Sequence, residues 1–194
     1  MNPQAATLRL AVFPRVGLAA DVLLVFGGTA LVSLAAQVSI ALPFTPVPIT
    51  GQTFAVLLVG SALGAVRGVA SLGLYLVVGV AGAPVYADGA HGWSVITSAS
   101  GGYIIGFIVA AAATGFLAER RWDRSFSSAV TAMLTGSVVI YLIGLPWLAV
   151  VLGTSLEQTL ELGLYPFVAG DVLKLYLAGA LLPGAWRLVD RLRG

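Results

Sequence analysis

The stretch Phe167-Val168-Ala169-Gly170-Asp171-Val172-Leu173-Lys174-Leu175-Tyr176-Leu177 sets two opposite charges in an otherwise apolar run, and Lys174 is the only lysine of the chain. Burying charge in such a segment is costly, so the pair needs a reason to be there. On a helix, positions i and i+3 share a face, so both side chains point the same way. A carboxylate beside an ammonium at membrane depth is a functional-site hypothesis by default. The bland reading is a structural ion pair between helices.

The rest of the chain agrees with a membrane setting. Of 194 residues, 59% are hydrophobic and 9% charged, whereas a soluble domain carries roughly 25% charged residues. Mean hydropathy is +1.00. At ~20 apolar residues per crossing, the length fits about six spans. The expected spans are Val22 to Leu42, Thr53 to Val66, Gly68 to Gly82, Gly102 to Leu117, Ala129 to Leu152 and Val168 to Trp186. The chain is thus expected to be an all-α integral membrane protein with one domain over residues 1–194. Residues 1–20 form a cytoplasmic N-terminal segment, and residues 21–188 form the six-helix core. There is no cysteine, so no disulfide or thiolate site exists. The net charge of +2 gives no reason to expect nucleic acid.

Two segments break the helical pattern. Pro43-Phe44-Thr45-Pro46-Val47-Pro48 has three prolines in six residues and cannot be an ordinary helix. Residues 83–101 hold Asp88, His91, Trp93 and several Ser and Gly residues. Both are expected as irregular loops on one side, capping a pocket.

The basic residues set the orientation. Arg9 and Arg15 precede span one, Arg67 lies between spans two and three, Arg120, Arg121 and Arg124 follow span four, and Arg187, Arg191 and Arg193 follow span six. These are nine of the ten basic residues, all on one side of a six-span arrangement. The positive-inside rule then places both termini in the cytoplasm. Lys174 is the exception, near the outer end of span six beneath the two loops.

Candidate ligand contacts follow from this placement. Lys174 suits a carboxylate, and Asp171 accepts from ligand N–H groups. Gln52 could bond a ligand or satisfy loop backbone. Tyr86, Trp93 and Tyr103 could line a pocket or serve as interface aromatics. His91, the sole histidine, has no second His or Cys with which to hold a metal. Thr29 and Ser33, and Gly60 and Gly64, are small residues four apart that let helices approach closely. They pack within the chain or offer a docking face to another membrane subunit. No G-x-x-x-x-G-K-[ST] occurs, so this chain has no P-loop for ATP. A membrane enzyme acting on a lipid head group would need a carboxylate cluster or an activated nucleophile, and only isolated acids are present.

Several blocks together resemble the BioY family, the biotin-specific substrate-binding (S) components of energy-coupling-factor (ECF) vitamin transporters. They are Pro46-Val47-Pro48-Ile49-Thr50-Gly51-Gln52-Thr53, Leu57-Leu58-Val59-Gly60 with Leu63-Gly64, Gly79-Val80-Ala81-Gly82-Ala83-Pro84-Val85-Tyr86, Gly101-Gly102-Tyr103 with Gly106-Phe107, and Pro166-Phe167-Val168-Ala169-Gly170-Asp171 with Lys174. The resemblance runs in order over about residues 21 to 180. It implies a six-helix subunit of the bacterial cytoplasmic membrane that binds biotin from outside and topples in the bilayer to deliver it. It implies a membrane coupling (T) subunit and two cytoplasmic ABC-type ATPases as partners, and no cofactor. It carries the biotin site over to Asp171 and Lys174. The family's G-P-[ST]-G-G-Y block reads here Ser98-Ala99-Ser100-Gly101-Gly102-Tyr103, without the proline. Ala90 or His91, and Ile104, fall where some relatives carry an asparagine and an arginine. Lys174 is then the only basic side chain expected at a ligand carboxylate. The alternatives are an S component for another small carboxylate-bearing vitamin, or a structural membrane protein with an incidental ion pair.

Overall fold

The computed structural model describes residues 7–13 and 17–193. Arg15 and the first six residues, which belong to the expected N-terminal segment, lie outside the described residues. The chain runs through α1 (Leu8–Val12), α2 (Leu18–Ala36), β1 (Ser39–Ile40), β2 (Ile49–Thr50), α3 (Gln52–Leu63), α4 (Ala65–Val80), α5 (Trp93–Ile96), α6 (Gly101–Glu119), α7 (Phe126–Leu152), α8 (Leu156–Gly163) and α9 (Tyr165–Arg193). Among the described residues four helices, α2, α6, α7 and α9, are long and apolar enough to cross a membrane. Helices α3 and α4 are apolar but shorter, at 12 and 16 residues. The expected six-span count therefore stands, on length alone, at four full-length helices and two short ones.

Helix α6 is the hub. Buried residues make up 61% of its apolar stretch, against 17% for α2, so α2 faces outward and α6 is enclosed. Small residues make this enclosure possible. A Cβ on Gly60 of α3 would stand 2.3 Å from Thr114 Oγ1 and 2.6 Å from the Ala111 carbonyl of α6. Only a residue without a side chain allows that approach. Gly64, at φ +85, turns the chain from α3 into α4, a conformation that disfavours any side chain. Glu119 Oε1 accepts the Ala65 N–H at 2.9 Å, satisfying one of the free amides at the start of α4.

Helix α2 ends at Ala36, six residues before the expected Leu42. Gln37 Nε2 donates to Ser33 O at 3.0 Å, satisfying a carbonyl of the last turn. Beyond it the backbone extends, and Ser39 pairs with Thr50 and Ile40 with Ile49 in a two-stranded antiparallel ladder. The proline-rich segment is the loop of this hairpin. Helix α8, which the apolar pattern does not announce, starts at a capping box of Ser155 and Gln158.

The arginines gather at one end of the bundle. Asp21 of α2 takes Arg67 of α4 in a two-point contact, with Nε to Oδ1 at 3.0 Å and Nη2 to Oδ2 at 2.7 Å. Arg9 of α1 adds a third bond to Oδ1 at 2.6 Å. Nearby, Trp186 Nε1 donates to the buried Asp123 Oδ2 at 2.6 Å, and the Arg124 guanidinium lies 3.4 Å from the Trp186 ring centre. Burial pushes the Asp123 carboxyl up from the usual carboxylate range, opposed by the Trp186 N–H. The irregular loops lie at the other end.

Candidate functional site

A cavity of about 310 Å³ opens among the hairpin, the 83–100 loop, the N-terminal parts of α3, α6 and α9, and the middle of α7. Its volume sits at the small end of ligand pockets, which run from about 300 Å³ upward. Gln52, Tyr86, Ala90, Tyr103, Asp171 and Lys174, six of the residues picked out in the sequence, all line it. His91 does not. It is exposed on the loop, with Nδ1 3.2 Å from Gly89 O.

Asp171 and Lys174 lie one turn apart on α9 and are bonded, Nζ to Oδ1 at 3.1 Å. Both are largely covered, at 13% and 19% side-chain exposure, so water screens them little. Lys174 Nζ also donates to Thr53 Oγ1 of α3 at 2.8 Å. An ammonium has three hydrogens, so one remains for a ligand. Asp171 Oδ2 accepts the phenolic hydrogen of Tyr141 from α7. Four side chains from three helices thus form one polar cluster in a wall that also includes the apolar Ile104, Phe107, Ile140 and Phe167.

The other lining residues are mostly committed within the protein. Gln52 is 5% exposed, and its Nε2 donates to Tyr75 Oη at 2.6 Å. Tyr75 passes the chain on to Val85 O at 3.2 Å, which holds the 83–100 loop. Tyr86 donates to Leu76 O at 2.8 Å, and burial pushes its phenol up to about 12, so it stays a donor at neutral pH. It offers the cavity its ring rather than its hydroxyl. Tyr103 donates to Gly163 O at 2.9 Å and meets Tyr141 edge to face, with ring centres 6.3 Å apart. Asp88, in the left-handed region at φ 57, is a second lining carboxylate.

The two loops are clipped to one another and to α8. Gln37 Nε2 donates to Tyr86 O at 3.1 Å, Ser39 Oγ to Asp88 Oδ2 at 3.3 Å, and Thr45 Oγ1 to Leu162 O at 2.6 Å. These polar contacts act together with the burial of Val47, Tyr86 and Ile96 in the apolar core to hold the loops over the cavity.

Thr29 and Ser33 stand elsewhere. Thr29 is buried against α4, donating to Ser71 O at 2.9 Å, and Ser33 Oγ bonds Thr29 O at 2.8 Å. Thr29 is therefore turned into the chain and not toward an outward docking face, because its hydroxyl finds a backbone acceptor there. Thr53, Ser137 and Tyr141 line the cavity without having been picked out. Ser137 and Tyr141 fall four apart in an apolar helix, a spacing that puts both on one face.

A multi-pass helical membrane protein with a partly enclosed, mainly apolar cavity and a largely covered ion pair in its wall belongs to the class of small-molecule binding or transport proteins. The BioY family profile matches residues 4–191, and the chain belongs to the BioY family. It is 35% identical over 158 residues to the biotin transporter BioY of Rhizobium etli, covering 78% of this chain and 84% of that protein. It is 34% identical over 153 residues to the biotin transporter BioY of Thermotoga maritima, covering 79% and 88%. The probable biotin transporter BioY of Pyrococcus horikoshii is 38% identical over 156 residues, covering 80% and 90%. The fold is similar to the crystal structure of the S component for biotin from an ECF-type ABC transporter. The TM-score is 0.78 at 24% identity, over 89% of this chain and 95% of that one.

Proposed function

We propose that this chain is the biotin-capturing S component of an ECF-type transporter, and that its cavity is the biotin site. The observation that carries the reading is the Asp171–Lys174 pair in the wall of the cavity, in a member of the BioY family. The reading is supported by the names of the relatives and by the chemistry of the cluster. Biotin ends in a carboxylate and carries a ureido group with one carbonyl and two N–H groups. Both ends present an oxygen to the free Lys174 hydrogen. Only the ureido end presents donors to Asp171. Because the two side chains are in contact, they meet one polar end of the ligand at a time, while the apolar walls take the rest.

In this reading α2, α3, α4, α6, α7 and α9 are the six spans of a single membrane domain over residues 1–194. The arginine-bearing end and both termini face the cytoplasm of a bacterial cell, following the positive-inside rule. The short α3 and α4 reach the full width only by local thinning of the bilayer or by shielding within protein. The chain is not an enzyme. A membrane coupling subunit and two cytoplasmic ATPases supply the energy that a chain without a P-loop lacks. Thr53 joins Lys174, Asp171, Gln52, Tyr86, Ala90 and Tyr103 among the ligand contacts, and His91 stays outside them.

Uptake in cells tests the function. A biotin-requiring bacterium without its own transporter, expressing this chain with the coupling subunit and ATPases, is expected to grow on trace biotin. Inactivating the ATPases should abolish that growth at the same biotin level. Growth that persists without active ATPases would contradict an ATP-driven route. No growth with any coupling module would contradict the transport role.

A further inference from the structure

The hydroxyl of Tyr141 lies against the cavity and bonds the carboxylate of Asp171. We propose that Tyr141 is a positioning residue of the ligand site, acting on the ligand through Asp171; the proposal rests on the biotin-binding reading.

Three observations carry it. The first is the division of the Asp171 carboxylate. Oδ2 takes the Tyr141 hydrogen and Oδ1 takes Lys174 Nζ. A carboxylate held by one partner turns freely about its last bond. Held by two partners on different helices, it keeps one orientation. The second is the setting of Tyr141 itself. Its ring meets the Tyr103 ring at 88°, and Tyr103 is tied to Gly163 O at 2.9 Å. The Tyr103 ring packs against the backbone of Gly144, where an added Cβ would stand 2.6 Å from it. The phenol therefore reaches Asp171 from a fixed direction.

The third is the demand on Lys174. Thr53 and Asp171 use two of its hydrogens, leaving one for a ligand. Without the tyrosine bond, both carboxylate oxygens are free to turn toward the ammonium. The pair then closes on itself, and the remaining Lys174 hydrogen is drawn away from the cavity. The Tyr141 hydroxyl keeps one oxygen off the ammonium and so keeps Lys174 available. A charge-assisted hydrogen bond of this kind is strong, and its loss reads as about a ten-fold change in affinity.

Tyr141→Phe keeps the ring against Tyr103 and removes only the hydroxyl. It is expected to weaken biotin binding about ten-fold in the native sequence but less than about three-fold in an Asp171→Asn background, where the charge it steadies is absent. An equal loss in both backgrounds would mean that Tyr141 touches the ligand directly, and would overturn the proposal. So would native affinity in Tyr141→Phe. A second readout needs no ligand. The infrared carboxylate stretch of Asp171, isolated by difference against Asp171→Asn, should shift when the tyrosine donor is removed. An unmoved band overturns the proposal. Failure of the native protein to bind biotin at all would instead strike the parent reading, leaving the infrared result to decide the Tyr141–Asp171 contact separately.

Discussion

Lys174→Ala is expected to weaken biotin binding by about a hundred-fold or more, and Asp171→Asn by about ten-fold. The asymmetry follows from the chemistry of the two ends of biotin. Both present an oxygen acceptor, so the free Lys174 hydrogen serves whichever end arrives. Asp171 has partners only at the ureido end, and asparagine keeps its shape and one accepting oxygen. Lys174→Ala also leaves Asp171 covered and without its counter-charge, beside Tyr141 alone. Where Lys174 meets the ligand carboxylate, truncating it removes one partner of a charge pair across the binding interface, which costs about 2–5 kcal/mol, much of it the penalty of the ligand charge left unpaired. At about 1.4 kcal/mol per ten-fold, the lower half of that range already reaches a hundred-fold. Filter binding of tritiated biotin to the purified variants measures both losses. Equal affinity of Lys174→Ala and the native protein would remove the ion pair from the site.

Gly60→Val is expected to destabilise the protein by about 3 kcal/mol or more. Its Cβ would meet the Ala111 carbonyl at 2.6 Å and Ala111 Cα at 2.9 Å, both backbone atoms of α6 that cannot rotate away. Overpacking by extra methyl groups usually costs about 1–3 kcal/mol, and a backbone neighbour puts this site at the top of that range. Helix α3 carries Gln52 and Thr53 into the cavity, and α6 carries Tyr103. Prising the two apart should therefore lower biotin affinity together with the thermal midpoint in detergent. An unchanged midpoint would show that the α3–α6 approach is looser than these distances describe.

Much of this arrangement is legible in the sequence because it rests on charge. A lone lysine three residues after an aspartate, in an apolar run, marks the wall of the cavity. The arginines of the described residues mark the other end. The three prolines between Pro43 and Pro48 mark the hairpin loop that helps to cap the site. What escapes is set by tertiary contact. The end of α2 depends on where Gln37 finds its acceptors, in Ser33 O and Tyr86 O, and the second of these is 49 residues away in sequence. Thr29 and Ser33 have the spacing of an outward docking face, yet Thr29 bonds Ser71 O on α4. Nothing in the spacing says which side of α2 will meet a neighbour. Tyr141 and Thr53 join the cluster because α7 and α3 happen to face α9 at that level. Helix α8 is different, since its Ser155–Gln158 capping box can be read directly and only its short length hides it among the long spans.

Calorimetric titration of the purified protein with biotin decides whether the cavity around Asp171 and Lys174 is a biotin site. Saturable binding at one site per chain is expected, with the heat lost from Lys174→Ala over the same concentration range. No saturable heat, or an identical curve for Lys174→Ala, would contradict a biotin site there.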